Sequence, residues 1–236
     1  MRAVVLAGGK GTRLAPYTFV FPKPMMPIGD RTILEILFAQ MKRAGINHVT
    51  LAVGHLAGLM SAYFQDGARY DLDITYSYES KPLGTAGPLA NISDLNETFL
   101  VTNGDILTQL NIADLFKFHK EQKGICTIAM HERKVKIDLG VIEIENCCEI
   151  TGYVEKPSFD YKVSMGLYVF EPRVLDFIPK DEYLDFPDLI KRLIAAGERV
   201  IGYPYDGYWQ DLGNPGDYSQ ATKDFENMRS QFIPEE

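Results

Sequence analysis

Short apolar and β-branched runs alternate along the chain with stretches whose apolar positions recur at helical spacing. The runs are Ala3 to Ala7, Val49 to Val53, Asp73 to Tyr78, Phe99 to Thr102, Ile125 to Met130, Leu139 to Ile144, Val163 to Phe170 and Arg199 to Tyr203. Each has the length and composition of a strand. Between them, ILEILFAQMKRAG from Ile33 places its apolar side chains on one helical face and stops at Gly45, a helix-ending glycine. Asn111 stands where it can cap a helix through Leu115, Phe116 and Phe118, and FPDLIKRLIAAG from Phe186 repeats the amphipathic pattern. This alternation predicts an α/β fold: a mainly parallel, Rossmann-like sheet with helices on both faces and ligands at the carboxyl ends of its strands. Neither an internal repeat nor a Ser/Gly linker interrupts it, so one domain over residues 1–236 is expected, with a frayed tail after Gln231.

With 236 residues and 46% hydrophobic content the chain can bury a full core. It contains no apolar run near the roughly 20 residues that cross a bilayer. Its start lacks the succession of a secretory signal, so a cytoplasmic location is expected. A net charge of −8 argues against a nucleic-acid or anionic-membrane partner. Cys126, Cys147 and Cys148 show no zinc-type spacing and read as buried reduced thiols, and the four histidines form no HExxH pair. Charge is nevertheless uneven. Residues 1–29 hold Arg2, Lys10, Arg13 and Lys23 and no acid, which suits a small polyanion.

Those cations surround VLAGGKGTRLAPYTFVFPKPMMP, beginning at Val5. The dinucleotide fingerprint G-x-G-x-x-G fails there, because the run from Gly9 puts Leu14 where the third glycine belongs. A P-loop fails too, since Gly9-Lys10 is followed by Gly11 instead of a hydroxyl residue and preceded by valine where the first glycine belongs. What remains is a flexible turn after the first strand. Its N–H groups can approach phosphate oxygens, and Arg13 can offer them a planar fork of donors.

LAGGKGTRLAPYT with FPKPMMPI resembles the signature of the sugar-nucleotide pyrophosphorylases, or sugar-1-phosphate nucleotidyltransferases. The resemblance continues in order through KPLGTAGPL from Lys81, TNGD ending at Asp105, LGV from Leu139, VEKP from Val154, GLYVF from Gly166 and YWQDLGNPGDY from Tyr208. It is nearest in look to the mannose-1-phosphate guanylyltransferase branch. It implies the nucleotide-diphospho-sugar transferase type of fold, and a reaction in which a sugar 1-phosphate oxygen attacks the α-phosphorus of a nucleoside triphosphate and releases pyrophosphate. No C-terminal β-helix of hexapeptide repeats is expected.

Residue by residue, the resemblance assigns catalysis to Arg13 and Lys23 and a Mg²⁺ ion to Asp105 and Asp211. Nucleotide binding falls to Leu6, Ala7, Gly8, Gly9, Gly11, Thr12, Arg13, Glu79, Gly84 and Thr85, within a first half ending at about residue 110. The second half would bind the sugar phosphate through Asn103 at the boundary, Gly140, Glu155, Lys156, Ser164 and Trp209; for Trp209 a core role is equally open. Two departures touch sugar choice: relatives carry Asn where Ser164 stands and Tyr where Leu139 stands. Glu79 accepts hydrogen bonds only, which suits the two adjacent donors of guanine and ranks GTP first, UTP second, CTP and dTTP behind. The expected partners are therefore small molecules, the triphosphate and the sugar phosphate. A non-catalytic regulatory relative is the alternative, disfavoured because the phosphate and metal residues are all present, and a nicotinamide oxidoreductase is disfavoured by Leu14. The oligomeric state is open, a homodimer included.

Overall fold

A computed structural model describes residues 1–233. In chain order the elements are β1 (Arg2–Ala7), β2 (Pro27–Ile28), β3 (Arg31–Thr32), α1 (Ile33–Arg43), β4 (His48–Val53), α2 (Ala57–Phe64), β5 (Asp73–Tyr78), β6 (Phe99–Asn103) and β7 (Ile106–Thr108). They continue with α3 (Ile112–Gln122), β8 (Cys126–Lys136), β9 (Gly140–Glu145), β10 (Glu149–Glu155), β11 (Ser158–Phe170), α4 (Phe186–Ala195), β12 (Val200–Tyr205), β13 (Trp209–Asp211) and α5 (Pro215–Phe232).

Local chemistry sets the element ends. Thr32 and Glu35 form a reciprocal capping box at the start of α1, satisfying two backbone donors that the first turn leaves unpaired. Past its end, Gly45 turns the chain at φ +79°, a conformation open to glycine without a Cβ clash. Asn111 caps α3 by accepting the Ala113 N–H at 3.0 Å.

Seven strands form one sheet in the order β12-β8-β11-β6-β1-β4-β5. All run the same way except β11, which is antiparallel to both β6 and β8. Alternate strand residues serve opposite faces. Val5, Leu51, Leu100 and Val169 pack with Leu34, Phe38, Phe64 and Phe116 from α1, α2 and α3. Val4, Ala52, Val101 and Phe170 pack with Phe186, Leu189 and Leu193 of α4. Helices thus cover both faces, as the sequence pattern predicts. Order reverses between β1 and β6, since the chain first builds outward from β1 through β4 to β5 and then returns to its other side. The crevice outside that reversal is where α/β sheets bind ligands.

Each expected strand is present, and β8 and β11 run further than expected into polar sequence. The frayed tail is a correction: Phe232 is fully buried against Phe225 and Tyr208, at ring separations of 5.7 and 5.2 Å. The rest of that expectation, beyond Ile233, lies outside the described residues. Cys126 is buried as expected, but Cys147 and Cys148 are exposed because they occupy the turn between β9 and β10. Among the described residues no β-helix occurs, and no helix is long and apolar enough to cross a membrane.

Candidate active site

A cavity of about 700 Å³ opens at the carboxyl ends of β1 and β6. The chain leaving β1 forms its floor: Leu6, Ala7, Gly8, Gly9, Gly11, Thr12 and Arg13 all line it. Two of these glycines are closely approached. A Cβ on Gly8 would lie 2.6 Å from Glu79 Oε1, and Gly11 holds φ +60°, where a Cβ would also stand 2.9 Å from the Thr18 methyl. The Thr18 hydroxyl donates to the Gly11 carbonyl at 2.8 Å and so pins the turn.

Around this floor the charged groups converge. Lys23, almost wholly buried, makes an ion pair with Asp105, the second residue after β6. Antiparallel pairing of β13 with β7 sets Asp211 opposite Ile106, and the Leu212 N–H donates to the Asp105 carbonyl at 3.0 Å, bringing the two aspartates together from 106 residues apart in sequence. Gly213 leaves room for Arg13 beside them: a Cβ there would stand 3.0 Å from Asp211 Oδ2 and 3.1 Å from a guanidinium nitrogen. Burial first, then the Asp105 carboxylate, raises the Asp211 carboxyl above the usual range, while Lys23 and Arg13 pull it down. Two adjacent carboxylates offer hard oxygen donors to a divalent cation. Among the described residues no cluster of three or more His, Cys, Asp or Glu is available to enclose a metal completely. The donor set fits a magnesium-like ion that takes its remaining ligands from phosphate and water.

Glu79, Gly84 and Thr85 form another wall. Glu79 Oε2 accepts the Leu83 N–H at 3.1 Å, leaving Oε1 facing Gly8, and burial raises its carboxyl against that hydrogen bond. Thr85 is held by the segment before α4, its N–H and hydroxyl donating to Asp185 Oδ1 at 2.9 and 3.1 Å. Asn103 completes the cavity from the end of β6, backed by Gly166 at φ +76°.

Other sequence-derived residues stand outside this cavity. Gly140 and Glu155 pair across the β9–β10 hairpin, with the Tyr153 ring lying over Gly140 where any Cβ would collide. Lys156 sits beside them at 3.9 Å from Glu155, both side chains exposed. The Ser164 hydroxyl is engaged internally, donating to Tyr168 and accepting the Gly166 N–H. Trp209 donates to the Met165 carbonyl at 2.9 Å and packs on the core edge, next to the His131 ring.

The cavity also recruits Lys10, His55, Lys81, Tyr183, Asp185 and Gly213. His55 follows β4 and could be found from the rule that sites form at strand ends. Tyr183 and Asp185 carry no local signal; Asp185 reaches the site through its bonds with Thr85, Tyr183 donates to Asp185, and Leu184 between them bonds the backbone of Leu83 and Ala86.

Residues 2–228 match the family model described as nucleotidyl transferase. The chain belongs to that family. It is 34% identical to a UTP–glucose-1-phosphate uridylyltransferase of Synechocystis sp. over 94% of its length and 63% of the relative's. It is also 34% identical to a mannose-1-phosphate guanylyltransferase of Mycobacterium tuberculosis, over 94% of its own length and 64% of that protein's. The chain thus spans a little under two thirds of these nucleotidyltransferases. Its fold matches that of HddC from Yersinia pseudotuberculosis, solved in complex with GMP-PN, with a TM-score of 0.72 and 23% identity across 95% of this chain and 99% of that one.

Proposed function

We propose that this nucleotidyltransferase joins a nucleoside triphosphate to a sugar 1-phosphate, giving an NDP-sugar and pyrophosphate. The carrying observation is the convergence of Arg13, Lys23 and Asp105 in the cavity beside a glycine turn, with Asp211, which lines the neighbouring depression, coupled to all three. In this reading a sugar phosphate oxygen attacks the α-phosphorus in line with the departing pyrophosphate. Both reactants are anions, so the protein's task is to hold them together and neutralise charge. Arg13 and the N–H groups of the turn grip the triphosphate tail. Lys23, held by its ion pair and by flanking prolines, meets the reacting phosphate oxygens. Asp105 and Asp211 would hold Mg²⁺, which supplies charge neutralisation and a template for phosphate oxygens when bound.

The first half of the chain, to about residue 110, takes the nucleotide, and the second half brings Gly140, Glu155 and Lys156 to the sugar phosphate on the β9–β10 hairpin. Glu79 presents Oε1 to the base as an acceptor, and this favours GTP; the mannose-1-phosphate guanylyltransferase relative supports mannose 1-phosphate or a related hexose or heptose 1-phosphate as the second substrate. UTP is the second reading, supported by the uridylyltransferase relative. The expected compartment is the cytoplasm, where nucleoside triphosphates are made.

Pyrophosphate release measured for four triphosphates against mannose, glucose, N-acetylglucosamine and heptose 1-phosphates tests each level. Release is expected only with both substrates and Mg²⁺, and EDTA abolishes it. Full activity without any divalent ion would overturn the metal assignment, and a higher kcat/KM for UTP with every sugar would overturn the base.

A further inference from the structure

The turn between β9 and β10 reads Glu145-Asn146-Cys147-Cys148-Glu149. Glu145 pairs with Glu149 in the ladder, so three residues carry the reversal. Asn146 and Cys147 hold φ of 48° and 73°. Two successive left-handed residues in a hairpin favour Asn-Gly, because glycine has no Cβ to clash with the backbone. Cysteine in the second place carries strain that glycine would avoid. Both thiols are free and exposed, and neither lines the phosphate cavity.

We infer that Cys147 and Cys148 form a vicinal-dithiol site for a soft, thiophilic acceptor, the class represented by organoarsenic(III) oxides. Thiols on neighbouring residues of one turn can both bond a single acceptor atom and close a ring through it. A closed tetrahedral metal such as structural zinc needs four protein ligands, and no cluster of even three candidate ligands exists among the described residues. An acceptor satisfied by two sulfurs is served, and thiolates select soft centres. Glu145 and Glu149 at the shoulders of the turn disfavour anionic reagents, leaving neutral and cationic ones. With an arsenic oxide, two S–H groups and one As=O group give two As–S bonds. The oxygen leaves with both protons as water, arsenic stays trivalent, and no oxidant or reductant is consumed.

Phenylarsine oxide added to the full chain, followed by intact-mass measurement and a thiol count, tests the site. One phenylarsenic group per chain is expected, with both exposed thiols lost. Cys126 stays unmodified on peptide mapping, since burial shields it and pushes its thiol pKa well up. Excess monothiol leaves the adduct in place and a dithiol strips it. Cys148→Ser and Cys147→Gly each weaken retention by about a hundredfold, the effective-concentration advantage of a second thiol on the same segment. Cys147→Gly also raises the thermal midpoint, which separates loss of the thiol from loss of the hairpin. Equal retention by Cys148→Ser, release by monothiol, or arsenic mapped to Cys126 would each overturn the assignment.

Discussion

At Asp211, burial and the neighbouring Asp105 carboxylate act in one direction, holding the carboxyl pKa above its unfolded value. Between those two values the native state binds more protons than the unfolded one, so unfolding free energy falls as pH rises through the window. Asp211→Asn removes that cost. In metal-free protein at neutral pH the variant is expected to melt higher than the parent, with a flatter pH dependence, while turnover falls by about a hundredfold or more. Calorimetry with and without EDTA, beside pyrophosphate release, checks both halves; a variant less stable at neutral pH and more stable in acid would reverse the sign. Asp105→Asn is expected to lose turnover comparably, and to cost stability as well because buried Lys23 loses its ion-pair partner. Arg13, Lys23, Asp105 and Asp211 were legible in the sequence because each sits in a motif whose residue types suit phosphate or metal. What the sequence concealed was their electrostatic coupling, which depends on β13 pairing with β7.

Elements were legible wherever burial imposes a period. β1, β4, β5 and β6 lie in the buried centre or on one edge of the sheet, and their apolar runs mark them. The outer ends of β8 and β11 pair from Lys136 with Ser158 to Met130 with Ser164, yet their side chains are largely exposed, so the sequence there is charged and carries no strand signal. The segment before α4 is similarly silent. It clamps the cavity wall formed by Glu79, Gly84 and Thr85 through backbone bonds of Leu184 with Leu83 and Ala86, each 2.9 Å, and through Thr85, whose hydroxyl also accepts the Phe186 N–H at 2.8 Å. Thr85→Val keeps the shape and deletes the hydroxyl bonds. A stability loss of about 1–2 kcal/mol is expected from these contacts. Because the same contacts hold the wall in place, KM for the triphosphate should rise more than kcat falls. Steady-state kinetics and denaturant unfolding measure the two effects. An unchanged KM with the full stability loss would leave the clamp a purely structural device.

Across the whole molecule, the two halves of the sequence share one sheet. β6 belongs to the first half and β11 to the second, and they pair antiparallel from Leu167 with Thr102 to Phe170 with Phe99. Phe99 and Phe170 also pack ring to ring at 6.0 Å, in a core that extends to Leu189 and Leu193 of α4. No boundary within this sheet can open without exposing buried apolar surface, so the halves should unfold together. Ligand that binds only the native state then stabilises both. For Mg²⁺ and GTP at a hundred times the dissociation constant the gain is about 2.7 kcal/mol. Thermal scans are expected to show one transition that moves upward as a unit. Hydrogen exchange should slow in β12 as well as in the glycine turn, although β12 lines no part of the cavity. Two resolved transitions, with nucleotide shifting only the one that carries residues before about 110, would instead divide the chain into two folding units.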